Sequence, residues 1–238
     1  MQKTPVKESK ISVVIAAYNE APRISNVLDI ITKHPLIDEV IVVNDGSTDT
    51  TSAVIKKFDV ILIENIKNLG KTLSVKKGIE KSKNSIIILL DADLIGLTDD
   101  SINKLTEPVL NHQVDWTLSL RDNSFKIMKL MKVDWMSGER VVPKNLLLDP
   151  LIWSKPNIGY GLETLMNKSL LDKNKTFLAV RLHNVSDTNK ANKIGFFKGW
   201  SADFKMIGQI SKVMPLHKFL WQFIIMSNLN KKYCKNIQ

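Results

Sequence analysis

Four short runs of apolar, largely β-branched residues constrain this chain more than any other feature: Ile11–Ala17, Glu39–Val43, Val60–Ile63 and Ser85–Leu90. Each has the length of a strand, and each is apolar at nearly every position, as strands covered on both faces are. Between them lie segments with helical spacing. Ile24, Val27, Leu28 and Ile31 line one face of the first, and Ala53, Val54 and Phe58 one face of the second. Leu69, Leu73, Val75 and Ile79 form a broader stripe in the third. Pro22 near a first turn, with Ser47 and Asp49 as cap candidates, marks helix starts. Strand–helix alternation of this kind predicts a parallel sheet with right-handed crossovers, a nucleotide-binding α/β architecture.

The second half reads differently. Val114–Leu120 predicts a strand, Phe125–Val133 a short helix and Trp135–Val142 another strand, with Pro143 opening the next turn. Gly161–Asp172 predicts a helix, Thr176–Leu182 a strand and Ala202–Val213 a helix. Lys190, Lys193 and Lys198, with Gly195 and Gly199, suggest a basic loop before that last helix. No internal repeat or low-complexity linker interrupts the chain. We therefore expect one domain over 1–238, with a nucleotide-binding half (1–112), an acceptor-binding half (113–214) and a C-terminal helix with a basic tail (215–238).

Composition narrows the function. At 238 residues, with 44% hydrophobic and 24% charged residues, the chain is ordinary globular protein. Its net charge of +10 suits nucleic acid, an anionic membrane surface or phosphorylated small molecules. Nearly all that charge is lysine, whereas bidentate reading of guanine or phosphate favours arginine, so no nucleic-acid partner is expected. A general lysine-richness without functional content would give the same charge. Cys234 is the only cysteine, which removes internal disulfides and cysteine-based zinc sites. No apolar run approaches the roughly 20 residues of a spanning helix, and the first ten residues lack the apolar core of a signal peptide. A cytoplasmic protein is the expectation, with peripheral contact at the inner membrane surface left open.

In an open parallel sheet, ligands bind beyond the carboxyl ends of the strands. Three polar loops fall there: Tyr18-Asn19-Glu20, Asn44-Asp45-Gly46-Ser47 and Asp91-Ala92-Asp93. Asp91 and Asp93 repel each other and must face water, a donor or a cation. A divalent ion bridging a carboxylate to a diphosphate would relieve that repulsion. A solvated acidic turn or helix cap, helped by Asp99 and Asp100, is the plainer alternative. Glycine cradles are missing: Ala16-Ala17-Tyr18-Asn19-Glu20 stands where a dinucleotide fingerprint would be, and Gly70-Lys71-Thr72 lacks the upstream glycine of a phosphate loop.

The set Val13–Glu20, Val43–Asp49, Asn68–Lys71 and Asp91–Asp93 resembles the glycosyltransferases of family 2 type and GT-A fold. That fold is a Rossmann-like nucleotide-diphospho-sugar transferase architecture, a mostly parallel central sheet flanked by helices. The resemblance covers roughly the first hundred residues. It implies that Ala17, Tyr18 and Glu20 line the nucleoside, that Asp45 accepts from the base, and that Lys71 contacts the donor beside Asp91 and Ala92. It implies further that Asp93 ligates Mg²⁺ or Mn²⁺. The chain departs from the pattern at Ala16, where proline is common, at Asn44, where aspartate is, and at Thr72, where glycine is.

Farther along, Ser137-Gly138-Glu139-Arg140 and Gly159-Tyr160-Gly161-Leu162-Glu163 resemble segments of glucosyl-3-phosphoglycerate synthases and polyprenyl-phosphate glycosyltransferases. Gly138, Glu139, Arg140, Gly159 and Tyr160 are thereby acceptor-binding candidates. Val180-Arg181-Leu182-His183 is similar to a segment of the synthases whose histidine completes the metal shell, so His183 is the candidate second ligand; a surface or core histidine is the alternative. Glu163 is either a general base for the acceptor hydroxyl or a carboxylate favouring the first turn of its helix. Arg140 clamps an anionic acceptor or forms a surface ion pair. Over Pro215–Leu229, Leu216, Phe219, Leu220, Phe223, Ile224 and Met226 form an apolar face followed by Lys231, Lys232 and Lys235. Docking on the core or on a second subunit is preferred there over an anionic membrane.

The resemblance thus implies an enzyme moving a hexosyl group from a UDP- or GDP-sugar to an anionic acceptor. A small phosphorylated acid is the first expectation for that acceptor and a polyprenyl phosphate the second. A non-catalytic nucleotide-sugar-binding protein is the remaining alternative. Family 2 members invert at the anomeric carbon while the glucosyl-3-phosphoglycerate synthases retain, so the stereochemical course stays open.

Overall fold

The computed structural model describes residues 10–155, 161–188 and 214–237. Among them the strands are β1 (Ile11–Ala17), β2 (Ile37–Asn44), β3 (Ile61–Glu64), β4 (Ile86–Asp91), β5 (Leu94–Ile95), β6 (Trp116–Arg121), β7 (Arg140–Pro143), β8 (Phe177–Leu182) and β9 (Ser186–Asp187). The helices are α1 (Ile24–Ile31), α2 (Thr51–Ile55), α3 (Lys71–Lys81), α4 (Asp99–Leu110), α5 (Lys126–Met131), α6 (Lys144–Leu147), α7 (Gly161–Asp172) and α8 (Leu216–Ile237).

Seven strands form one sheet in the order β3-β2-β1-β4-β7-β6-β8, and β5 pairs with β9 in a separate ribbon. β1 to β4 are mutually parallel, β7 runs against both β4 and β6, and β8 is parallel to β6. Six strands therefore share a direction and one carboxyl edge, and β7 begins at that edge. The mostly parallel α/β sheet is the one the first four apolar runs predict.

Burial on both faces makes the strands near-continuously apolar. Ile11, Val13 and Ile15 pack with Ile24, Val27, Leu28 and Ile31 of α1 and with α4. Val14 and Val43 face the opposite layer, with Val75 and Ile79 of α3, Leu162 and Met166 of α7, and Phe219 and Phe223 of α8. The four α1 residues are fully enclosed, each contributing about 1.5–3 kcal/mol relative to exposure. Leu28→Ala alone would cost about 2–5 kcal/mol. Thr98 and Ser101 close a capping box on α4, with Asp99 and Asp100 in its first turn. Those acids serve the positive end of the helix dipole and are not part of the Asp91–Asp93 loop.

Four local expectations are corrected. Val54 and Phe58 pack half-buried on the core as expected, but the buried side of α2 is Thr51 and Ile55, and Ala53 is exposed. Asp49 accepts from Thr51 N at 3.0 Å near the start of that helix, whereas Ser47 accepts from Asn19 N across to the first loop. The strand expected over Trp135–Val142 begins only at Arg140, because Trp135 packs on Phe219 and Phe223 and Ser137-Gly138 turns beneath Asp91. On α8, Phe219, Phe223 and Met226 dock on the core as preferred, but Leu220 and Ile224 are exposed. The basic loop with Lys190, Lys193 and Lys198 and the helix Ala202–Val213 lie outside the described residues.

Candidate active site

The carboxyl edge gathers the three polar loops. Register places Ala16 beside Asp91 and Ala17 beside Asn44, so the small side chains of β1 leave room between the two acidic loops. A cleft of about 320 Å³ opens there, lined by Ala16, Ala17, Tyr18, Glu20, Asp45, Asn68, Gly70, Lys71, Asp91, Ala92 and Asp93. Every residue expected at the donor lines this one cleft, together with Asp93. A second cavity, about 370 Å³, lies between α3 and the segment after α6, around Ile79, Leu148, Pro150 and Trp153. Its charged lining is the Lys76 and Glu80 pair, without convergent carboxylates, so the carboxyl-edge cleft is the chemical site.

Hydrogen bonds fasten the loops to one another. Asn19 turns the chain in a left-handed conformation (φ 55°), donates its N–H to Ser47 Oγ at 3.0 Å and accepts from Thr48 N at 2.9 Å. Glu20 N donates to Thr51 Oγ1 at 2.8 Å. The buried Asp45 carboxylate accepts from Leu69 N and Gly70 N at 2.8 Å each and from Asn65 Nδ2 at 2.9 Å. Asp45 therefore shapes the loop leading into Lys71, and its Oδ2, with one bond, keeps a lone pair for a ligand. Gly46 sits at φ 69° against the backbone of Lys67 and Asn68, where a side chain would clash. Asn44 donates to Glu64 Oε2 at 2.7 Å from the paired position on β3. An aspartate there would set carboxylate against carboxylate, which explains this departure from the common pattern.

Lys71 is the electrostatic centre. Its ammonium donates to Asp91 Oδ1 at 2.8 Å and to Glu163 Oε1 at 2.9 Å, joining the first turn of α3 to the end of β4 and the start of α7. Burial opposes its charge, but Asp91 and Glu163 outweigh that and hold it protonated well above the usual lysine range. Burial likewise opposes ionisation of Asp91, yet Lys71 and then Arg121 keep its carboxyl below the ordinary range. Glu163 is buried, and its Oε2 has no hydrogen-bond partner among the described residues.

Beneath Asp91 lies a buried charged platform. A Cβ on Gly138 would stand 2.6 Å from both Asp91 carboxylate oxygens, so only glycine admits that side chain. Glu139 is fully buried, bonded to Ser119 Oγ at 2.6 Å and Ser137 Oγ at 2.8 Å, with Arg121 Nη1 at 3.3 Å. Burial pushes its carboxyl up; Arg121 opposes and Asp91 reinforces the rise. The Asp91 and Glu139 carboxyls are thus pushed in opposite directions, Asp91 down by Lys71 and Glu139 up by burial. Arg121 ends β6 and also meets Asp187 of β9 at 3.1 Å and Asp134 at 3.8 Å. Burial works against its charge, and Glu139, Asp187 and Asp134 more than restore it. Sequence reasoning missed Arg121. The one available signal was an arginine closing a buried apolar strand, since its partners lie 13 to 66 positions away.

The acceptor candidates of this segment are corrected. Arg140 is fully enclosed, donating from Nε to Ser137 O at 2.8 Å, from Nη1 to Asn167 Oδ1 at 2.6 Å and from Nη2 to Trp135 O at 3.2 Å. It is neither a surface ion pair nor open to an acceptor. Gly138 and Glu139 pack beneath Asp91, and Arg140 ties Ser137 and Trp135 to α7, so none of the three faces solvent. Gly159 and Tyr160 lie outside the described residues.

For a divalent ion, the donor set is hard oxygen. Asp93 is half-buried on the cleft wall beside Asp91. Among the described residues no three His, Cys, Asp or Glu side chains form a metal cage. Mg²⁺-like ions commonly take one or two carboxylates, waters and substrate phosphates, so the residues fit a metal that arrives with a diphosphate. His183 is exposed in the turn after β8, near Asp122. The chain then returns toward Asp93: Asp187 pairs with Leu94, and Thr188 Oγ1 donates to Asp93 O at 3.3 Å.

Known proteins resemble this chain in fold or in sequence. A crystal structure of glucosyl-3-phosphoglycerate synthase from Mycobacterium tuberculosis, with Mn²⁺, uridine diphosphate and phosphoglyceric acid, superimposes with a TM-score of 0.69. It is 21% identical over 86% of this chain and 78% of that one, which speaks for the fold alone. An uncharacterized glycosyltransferase, YaiP of Escherichia coli, is 35% identical over 97 residues, 39% of this chain and 24% of that protein. The dodecaprenyl-phosphate galacturonate synthase of Rhizobium johnstonii is 27% identical over 134 residues, 51% of this chain and 40% of that protein. The chain spans from about a quarter to about half the length of the curated relatives it matches. The sequence pattern of Glycosyl transferase family 2 matches residues 12–174, across β1 to the end of α7 and thus the whole cleft, so the chain belongs to that family.

Proposed function

We propose that this protein transfers a hexosyl group from a UDP- or GDP-sugar to an anionic acceptor such as a small phosphorylated acid, using Mg²⁺ or Mn²⁺. The observation that carries it is the cleft in which Tyr18, Glu20, Asp45, Lys71, Asp91 and Asp93 converge at the carboxyl edge. Tyr18 and the lone pair of Asp45 Oδ2 would orient the nucleoside, and Lys71 would neutralise the diphosphate. Asp93 would hold the metal, with His183 as second ligand. Bound there, the ion would stabilise charge developing on the departing nucleoside diphosphate.

Lys71 cannot easily lose its proton between two carboxylates, so its charge persists when phosphate oxygens arrive. Glu163 does not itself line the cleft; its Oε1 is committed to Lys71, which does. Its enclosed Oε2, without a partner among the described residues, is the atom that would take a proton from an acceptor hydroxyl that reached it. The glucosyl-3-phosphoglycerate synthase complex with a phosphorylated acid supports the acceptor class. The dodecaprenyl-phosphate relative supports a lipid-phosphate alternative. Should Glu163 serve binding alone, a non-catalytic nucleotide-sugar-binding protein would result.

A thermal-shift panel of nucleotide-sugars with and without Mn²⁺ tests the proposal. Stabilisation by one UDP- or GDP-sugar, larger with Mn²⁺, is the expected result. Indifference to all of them would overturn it, and turnover with phosphorylated acids without detergent would separate the soluble from the lipid acceptor.

A further inference from the structure

We infer that the outward face formed by α5 and the first half of α8 docks on an anionic lipid bilayer. Of the ten large hydrophobic side chains exposed among the described residues, six lie here: Phe125, Ile127, Leu130, Leu220, Trp221 and Ile224. Leu130 is 76% exposed and Trp221 64%. Single exposed apolar residues mean little, but a concentration on two adjoining helices marks an interaction surface.

The two helices are joined. Ser227 Oγ donates to Met131 O at 3.0 Å and Asn230 Nδ2 to Lys132 O at 2.7 Å, tying α8 to the end of α5. Leu220, Ile224, Ser227 and Lys231 follow helical spacing along one row of α8, so the row that touches α5 also carries the exposed apolar residues. Phe219, Phe223 and Met226 occupy the neighbouring, core-facing row, about 100° round the helix. No described helix is long and apolar enough to cross a membrane, so contact would be interfacial.

Charge selects the occupant. Neither helix contains an aspartate or glutamate, and exposed Lys126, Lys132, Lys218 and Lys231 surround the apolar residues. Residues 113–238 hold 20 Lys and Arg against 9 Asp and Glu, while residues 1–112 hold 14 against 15. The whole excess of positive charge thus belongs to the half bearing this face. A symmetric second copy would bring the same lysines against one another, which disfavours self-association. Anionic headgroups complement both the lysines and the apolar side chains between them.

The test is flotation of the full chain with vesicles of phosphatidylcholine alone and of phosphatidylcholine mixed with phosphatidylglycerol. Binding to the anionic vesicles only, released by added salt, is expected. Leu130→Glu with Ile224→Glu should weaken it more than tenfold at unchanged thermal stability. Lys126→Gln with Lys231→Gln, which leaves packing alone, should weaken it about fivefold per lysine. Failure of the unaltered chain to float, or equal binding to neutral vesicles, overturns the inference. So does a dimer in sedimentation equilibrium that the Leu130→Glu, Ile224→Glu pair dissociates. Vesicle binding is read without donor or acceptor, so its outcome stands apart from that of the proposed reaction.

Discussion

The two sides of the cleft carry similar numbers of charged groups and use them in opposite ways. On the β1–β4 side, Tyr18, Asp45 and Asp93 follow strand ends, Lys71 opens α3, and all four line an open cleft. On the β6–β8 side, Arg121, Asp134, Glu139 and Arg140 are buried and pair with one another or with the backbone. The first group is placed to meet a ligand, and the second lies under Asp91, where Arg121 helps to hold that carboxyl below its ordinary range. A charged residue in a family motif is therefore not by itself a ligand contact, because Arg140 and Glu139 resemble acceptor residues and act as foundations.

Arg140→Leu should break the foundation side most severely. It leaves Asn167 Oδ1 and the Ser137 carbonyl unpaired in the core and takes from Trp135 O one of its two donors, the other being Asn167 Nδ2, costing about 3–5 kcal/mol in urea unfolding. A loss below about 1 kcal/mol accompanied by weakened donor binding would reverse the assignment. Gly138→Ala should act across the boundary. Its new methyl would push on Asp91, costing about 1–3 kcal/mol of stability and lowering donor affinity more than stability alone predicts.

Asp149 offers a pH probe away from the cleft. It accepts from Ser169, Leu151 N and Lys173, which depress its carboxyl to about 2. A depressed folded value means the stabilisation is complete above the ordinary aspartate range and is lost as pH falls through about 2. Asp149→Asn should therefore cost about 1–2 kcal/mol at pH 7 after allowance for solvent screening, with wild type and variant converging only below about pH 2. Donor binding at pH 7 should not change. The smallest effect belongs to Asn44→Asp, about 1 kcal/mol at neutral pH from facing Glu64. Melting temperatures of variant and wild type should approach each other as the new carboxylate pair protonates in acid.

The donor side was legible because its information is local. Each apolar run is a strand, each polar loop follows it directly, and Ile24, Val27, Leu28 and Ile31 form the α1 face that spacing predicts. The other side depends on distance in space. Trp135 and Met136 are apolar like a strand, yet α8, more than 80 positions later, covers Trp135 and leaves only Arg140–Pro143 in the sheet. The partners of Arg121 are likewise scattered from Asp134 to Asp187. Ala53 misled because a five-residue helix has too few turns to fix its inward side.

The most direct test of the donor cleft is calorimetry of Asp93→Ala with the nucleotide-sugar that gives the largest thermal shift, with and without Mn²⁺. The account predicts that the metal-dependent part of the affinity disappears while the variant still unfolds in one cooperative transition. Unchanged affinity in the presence of Mn²⁺ would contradict it.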